Sequence, residues 1–270
     1  MIIPLEDGYT DVIAKAQRGL QLADSELAEK SGLSAVTIKS LKEGSVDETA
    51  IAAVAPILQL GAMALLQLAG ENYQPRVTPP AGLAAFNSPY EDFTVNSYLV
   101  WDPQTREAIV FDTGADATEL LHTITTESLK VQFILLTHTH GDHIFDLDRV
   151  LEKTGAPALG PSQEPLEGVA GFENGTRFQC GSLKVSALLT NGHSPGGTTF
   201  FVEGLENPIA IVGDSIFAGS MGGAYPVWKM ALANNRNKIL TLPPETILCP
   251  GHGPLTTVDL ELANNPFFSA

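Results

Sequence analysis

The sequence predicts an α/β domain preceded by a small all-α one, and three observations carry that expectation. From residue 83 onward, short apolar strand-like runs alternate with amphipathic helical stretches, the pattern of layered α/β folds. Residues 1–72 read as helices only. Between them Tyr73-Gln74-Pro75-Arg76-Val77-Thr78-Pro79-Pro80-Ala81-Gly82 carries three prolines and no helical period, as a short stiff linker would. The expected division is a helical domain 1–72, a linker 73–82 and an α/β domain 83–270, and 270 residues leave ample chain for both cores.

In the helical part, Asp24-Ser25-Glu26-Leu27-Ala28-Glu29-Lys30-Ser31-Gly32-Leu33-Ser34-Ala35-Val36-Thr37-Ile38 contains a capped helix, a glycine turn and a second helix capped by Ser34. The segment from Ile13 to Ala69 resembles a phage-repressor-type helix-turn-helix. Asp47-Glu48-Thr49 starts the next helix, and Leu58, Leu60, Met63, Leu65 and Leu66 are expected to fill the core. Ala50 to Gly70 runs uncharged for 21 residues, long enough to span a bilayer. Pro56, Gln59, Gly61 and Gln67 interrupt it, and Gly61 reads as a helix C-cap dividing two buried helices, so no membrane span is expected. Charge argues against nucleic acid. Through Asn72 the chain has five basic residues (Lys15, Arg18, Lys30, Lys39, Lys42) and ten acidic ones, net −5, whereas DNA binders neutralise phosphates with Lys and Arg. The helix Ser34 to Gly44 offers only Lys39 and Lys42 against Glu43. A protein-interaction or dimerisation module, giving a homodimer, is favoured over operator binding.

The α/β part opens with a strand over Val95–Trp101. Helices follow at Ala117–Glu127 and at Ile144–Lys153, the latter stopped by Gly155, with His122 on the surface of the first. Between these helices Val131-Gln132-Phe133-Ile134-Leu135-Leu136 reads as a buried strand. It ends on Thr137-His138-Thr139-His140-Gly141-Asp142-His143, four metal-ligand side chains in six residues. In an extended loop His138 and His140 point the same way, with Asp142 and His143 beyond them. Neutral imidazoles suit zinc-class ions, and a carboxylate adds the charge that holds a second dication near the first. An incidental polar loop is a poor account of that density. Three later strands end alike: Val185–Leu189 before Asn191-Gly192-His193, Ile209–Val212 before Gly213-Asp214, and Thr246–Leu248 before Pro250-Gly251-His252.

Together these residues resemble the metallo-β-lactamase superfamily of metallohydrolases, over a stretch from Phe86 to the C-terminus. The resemblance implies a four-layer αββα sandwich with metals at one edge. It implies one ion held by His138, His140 and His193, another by Asp142, His143 and His252, with Asp214 bridging them. Asp112, in Ala108-Ile109-Val110-Phe111-Asp112-Thr113-Gly114, matches the family's first motif and would support the ligands from behind. Pro250-Gly251-His252-Gly253-Pro254 with Asn264-Asn265-Pro266-Phe267-Phe268 looks like the glyoxalase II-like (hydroxyacylglutathione hydrolase-like) branch, whose reference activity is thioester hydrolysis. A bridging Asp214 agrees with that branch and disfavours true β-lactamases, which usually lack it. Two departures put glutathione itself in doubt. Ser220-Met221-Gly222-Gly223 stands where the branch often carries Gly-Arg, and only eighteen residues follow His252, too few for a helical C-terminal glutathione-binding domain.

The expected activity is hydrolysis of a small ester or thioester by a hydroxide bridging two divalent ions, with Asp142 orienting it and accepting its proton. Zinc is the default metal from ligand type, and iron or manganese suits the same set. A thiolate leaves without a dedicated acid because its conjugate acid has a pKa near ~8.5. Tyr225 and Lys229, in Ala224-Tyr225-Pro226-Val227-Trp228-Lys229, are candidates for substrate contact, against the plainer reading of Trp228 as core and Lys229 as solvated. Two alternatives remain, a mononuclear iron enzyme of the persulfide dioxygenase type and a transcriptional regulator with a metallohydrolase-like sensing domain. Residues from Tyr73 onward are net −11, which repels polyanions and weakens a nuclease reading. Cys180 and Cys249 make no disulfide framework, and Met1-Ile2-Ile3-Pro4-Leu5-Glu6-Asp7 lacks the basic and apolar regions of a signal peptide, so cytoplasmic residence is expected.

Overall fold

The computed structural model describes residues 3–269; Met1, Ile2 and Ala270, which bound the expected divisions and the leader reading, lie outside the described residues. Five short helices come first: α1 (Tyr9–Leu20), α2 (Asp24–Ser31), α3 (Ala35–Lys42), α4 (Glu48–Val54) and α5 (Ala62–Ala69). Their starts follow local chemistry. Ser34 Oγ accepts the Thr37 N–H at 3.1 Å, and Asp47 Oδ1 accepts the Ala50 N–H at 3.0 Å. Gly61 proves to be the N-cap of α5 rather than the C-cap of its predecessor. α4 stops at Val54 instead, because Pro56 has no N–H to return to the turn before it. Met63, expected in the core, is 72% exposed, since α5 buries the Ala64, Leu65 and Leu68 face. No helix of the described residues is long and apolar enough to cross a membrane.

The first sheet is built from β1 (Leu83–Tyr90), β2 (Phe93–Trp101), β3 (Glu107–Phe111), β4 (Lys130–Leu135), β5 (Ala158–Pro161) and β6 (Ala170–Phe172), side by side in that order. α6 (Thr118–Thr126), a single turn α7 (Gly141–Ile144) and α8 (Leu147–Thr154) connect its parallel half. The helix expected over Ile144–Lys153 is α8, which starts later, at Leu147, and the Asp146 carboxylate just before it accepts the Ala117 N–H at 2.8 Å. The second sheet contains β7 (Arg177–Cys180), β8 (Leu183–Leu189), β9 (Thr198–Glu203), β10 (Ile209–Gly213), β11 (Ile247–Pro250) and β12 (Thr256–Thr257), also in sequence order. α9 (Trp228–Asn234) and α10 (Val258–Asn264) belong to this half.

Alternation along the strands builds four layers. Ile109, Phe111 and Leu135 of the first sheet meet Phe200, Ile209 and Ile211 of the second in a shared core. Their neighbours Val110 and Ile134 point outward to Leu120 and Val150 of α6 and α8. On the other side Ala210, Val212 and Leu248 pack under Trp228, Val258 and Phe267, and the same cluster contains Val12, Ile13, Ile51 and Leu65 of the first five helices. The helical segment therefore belongs to the outer layer of the second sheet. It is tied there by the Gly61 N–H to the Pro266 carbonyl at 2.7 Å and by Tyr73 Oη donating to Glu261 Oε1 at 2.6 Å.

Candidate metal centre

The ends of β4, β8, β10 and β11 meet at one edge of the sandwich, and each delivers side chains to a common point. His138, His140, Asp142 and His143 come from the β4 loop and α7, His193 from the loop after β8, Asp214 from the end of β10, and His252 from the end of β11. Donor atoms fall into three overlapping groups, each within 4.8 Å: His138, His140 and His193; His138, His143 and Asp214; and Asp142, His143 and His252. All seven side chains singled out by their spacing are brought together. Gly251 allows the approach, since a Cβ there would overlap Asp214 and His143.

Hydrogen bonds on the far sides of the imidazoles decide which nitrogen faces inward. His143 Nδ1 donates to Asp112 Oδ2 at 2.9 Å, His193 Nδ1 to the Gly223 carbonyl at 3.1 Å, and His252 Nδ1 to the Thr94 carbonyl at 2.7 Å. Thr137 Oγ1 donates its single proton to Asp112 Oδ2 at 2.8 Å, so at 3.0 Å it must accept from His138 Nδ1. Four rings therefore aim Nε2 at the centre. His138 Nε2 and His193 Nε2 lie 3.1 and 3.0 Å from His140 Nδ1, and one proton on His140 cannot satisfy two inward lone pairs. Ligands bound about 2.0–2.1 Å from a tetrahedral metal sit about 3.3–3.4 Å apart, close to these separations.

Asp214 lies between the groups. Its Oδ1 is 3.3 Å from His143 Nε2, and its Oδ2 is 3.3 Å from both His193 Nε2 and His252 Nε2. Asp142 Oδ2 is 3.4 Å from His252 Nε2 and 3.5 Å from His143 Nε2. His143 Nε2 and Asp214 Oδ1 are buried and make no hydrogen bond among the described residues. With the His143 proton on Nδ1 both atoms present lone pairs, and buried lone pairs that face each other carry a cost that a shared cation removes, so the donor set fits divalent metal. Burial, reinforced by neighbouring histidines, pushes His138 well below its usual value. For His143 burial opposes protonation, yet the Asp214 and Asp112 carboxylates prevail and raise it to about 10; against the same opposition, Asp214 and Asp142 raise His252 to about 11. Without metal, protons occupy places where cations would bind, so loading must release them.

The cavity over the cluster has a volume of about 270 Å³, and its wall includes Glu6, Lys15, Phe93, Phe217, Gly222 and Gly223. Glu6 and Lys15 come from the N-terminal segment, and nothing in their sequence context signals a site. Phe93 and Phe217 pack their rings at 5.5 and 5.6 Å from the His252 ring. Glu164 is the other residue invisible to spacing: Oε2 accepts the Thr139 N–H at 2.9 Å and Oε1 the Gly196 N–H at 2.7 Å, joining two ligand loops. Tyr225 lines an adjoining cleft rather than this cavity, and Lys229 is exposed on α9 away from its wall.

Comparison with known proteins agrees with this geometry. A sequence profile described as Metallo-beta-lactamase superfamily matches residues 90–183. "Probable metallo-hydrolase YqgX" of Bacillus subtilis (strain 168) is 30% identical over 206 residues, covering 67% of this chain and 95% of that protein. "Hydroxyacylglutathione hydrolase GloC" of Haemophilus influenzae is 26% identical over 207 residues, covering 67% and 96%. Among solved structures, the BLEG-1 B3 metallo-beta-lactamase is similar at a TM-score of 0.58 and 30% identity, covering 69% of this chain and 100% of its own. TTHA1623 in a di-iron-bound form is similar at 0.55 and 30%, covering 67% and 99%. With two facing sheets, a histidine and aspartate cluster at their edge, and a relative at this identity matched over nearly its whole length, the chain belongs to the metallo-beta-lactamase superfamily.

Proposed function

We propose that the protein is a dinuclear metal-dependent hydrolase cleaving a small thioester or ester. The observation that carries this reading is Asp214, whose two oxygens face different histidines and stand between two donor groups. In this reading His138, His140 and His193 hold one ion, Asp142, His143 and His252 hold the other, and Asp214 joins them. A pair of divalent ions held there supplies Lewis acidity and brings the pKa of a water near neutrality. Burial works to raise Asp142, but His252 and His143 outweigh it and hold its carboxyl below the usual range, so Asp142 is ionised and able to orient that water and accept its proton. Asp112 and the Gly223 and Thr94 carbonyls keep the imidazoles in the tautomer that faces inward. Thioester chemistry is supported by the name of the GloC relative; the name of BLEG-1 points to β-lactams, which an Asp214 that joins two ions would disfavour. The donor set suits zinc, iron and manganese, and the di-iron form of TTHA1623 makes iron a metal to assay beside zinc.

Elemental analysis of the purified protein, with turnover of S-acyl glutathione, acyl-CoA, lactone and β-lactam substrates, tests the reading. Two ions per chain, preferential thioester or ester cleavage and loss of activity on chelation are expected. Replacing Asp214→Ala should lower kcat/KM by about 1,000-fold. One iron per chain with oxygen uptake on a persulfide would replace this reading with a dioxygenase. For the first five helices we propose an accessory role rather than operator binding. Lys39 and Lys42, the cations of α3, are already paired with Glu43 at 3.6 Å and Asp24 at 2.7 Å. Salt-sensitive, sequence-specific DNA binding would overturn that role.

A further inference from the structure

We propose that the cleft between α1 and the Gly223–Trp228 segment is a subsite for an anionic group on the leaving portion of the substrate. The inference rests on the hydrolase reading and extends it to the substrate's far end. A second cavity of about 320 Å³ adjoins the one over the metal cluster, and Lys15 and Gly223 line both. Its remaining wall is Arg18, Gly19, Ala224, Tyr225 and Trp228. In a chain with 31 acidic and 15 basic residues, this wall holds two cations and no carboxylate.

The two cations differ. The Lys15 ammonium donates to the Asp7 carboxylate and to the Met221 carbonyl and lies 5.2 Å from the centre of the Phe217 ring. Asp7 therefore balances its charge, and the contacts fix it at the junction of the cavities. Arg18, three residues along the same face of α1 and about 4.5 Å further along its axis, is exposed and makes no ion pair among the described residues. Its planar fork can take a carboxylate or phosphate through two parallel hydrogen bonds. Tyr225, 60% exposed, lines the same cleft. Between cluster and fork, Gly223 opens onto free space, leaving room for a linker. With the scissile carbonyl at the histidine cluster, the leaving thiol runs past Gly223 and its anionic end reaches Arg18. In the reaction water adds to the carbonyl carbon, the C–S bond breaks, and products leave as a carboxylate and a thiol, with one proton released.

The test uses the full-length, metal-loaded protein and three thioesters sharing one acyl group, whose leaving thiols end in a carboxylate, a phosphate or a neutral amide. The wild type is expected to favour at least one anionic thioester by about 10-fold in kcat/KM, and Arg18→Glu to abolish or invert that preference while Arg18→Lys keeps part of it. Whichever anion loses more in Arg18→Glu identifies the group the subsite takes. An anionic preference equal in the wild type and in an Arg18→Glu variant of unchanged melting temperature overturns the proposal. If no thioester is cleaved, the thioester form of the hydrolase reading fails, and the subsite is read by calorimetric titration with S-methyl thioethers of the same thiols. Binding of an anionic thioether about fivefold weaker in Arg18→Glu supports the subsite, and equal or undetectable binding by both proteins overturns it.

Discussion

Glu164 fastens the Thr139 loop to the Gly196 loop, and so fixes His140 relative to His193. Burial works to raise its carboxyl, but the Gly196 N–H and the N–H and hydroxyl of Thr139 hold it below the usual range. A Glu164→Gln substitution turns an amide N–H toward those donors and should weaken metal binding about 10- to 100-fold, measured by competition with a chromogenic chelator. Asp102 does similar work far from the centre, accepting the Gln104 N–H at 2.8 Å and the Ser182 N–H at 2.7 Å, which hold its carboxyl at about 2 against an ordinary value of 3.8. A carboxyl depressed in the folded state stabilises above its unfolded value and loses that contribution as pH falls toward 2. Asp102→Asn should therefore melt several degrees below the wild type at pH 7, with the gap closing as pH approaches 2; a gap independent of pH would refute the assignment. At this scale the clustered histidines and aspartates were legible because four of them crowd into Thr137–His143 and the others follow apolar strands. Glu164, in Pro161-Ser162-Gln163-Glu164-Pro165, was not, because a carboxylate that binds backbone N–H groups needs no particular spacing.

Among the elements, α1 shows how packing escapes a one-dimensional reading. Its Gly19 sits so close to Trp228 that a Cβ would overlap the indole, so α1 and α9 meet at the smallest residue available. Gly19→Leu should destabilise by about 1–3 kcal/mol through overpacking and lower Tm by several degrees, read by thermal unfolding. The strands leading into the histidine and aspartate cluster were visible as apolar runs, and Ser34 and Asp47 announced the starts of α3 and α4. Element ends were harder to read. Gly61 caps the helix after it, Met63 faces solvent, and α8 starts after Asp146 rather than at Ile144, because capping geometry and the buried face are settled by neighbours distant in sequence.

Across the whole molecule, a change of composition at residues 73–82 does not interrupt the core. Val12, Ile13 and Leu65 bury against Ile216, Trp228 and Phe267, so the helical segment supplies part of the fourth layer. Removing residues 1–72 should bare that face and yield a protein that binds a hydrophobic dye and aggregates; a monomeric, metal-replete remainder in size-exclusion chromatography would contradict this. The αββα arrangement was legible through the motif order, whereas the joining of segments some two hundred residues apart left no local mark. That joining bears on biosynthesis. The ribosome makes α1 to α5 long before Trp228 and Phe267, so the early helices must wait with their greasy stripe uncovered until those distant residues have been made, a window in which a chaperone would find its client.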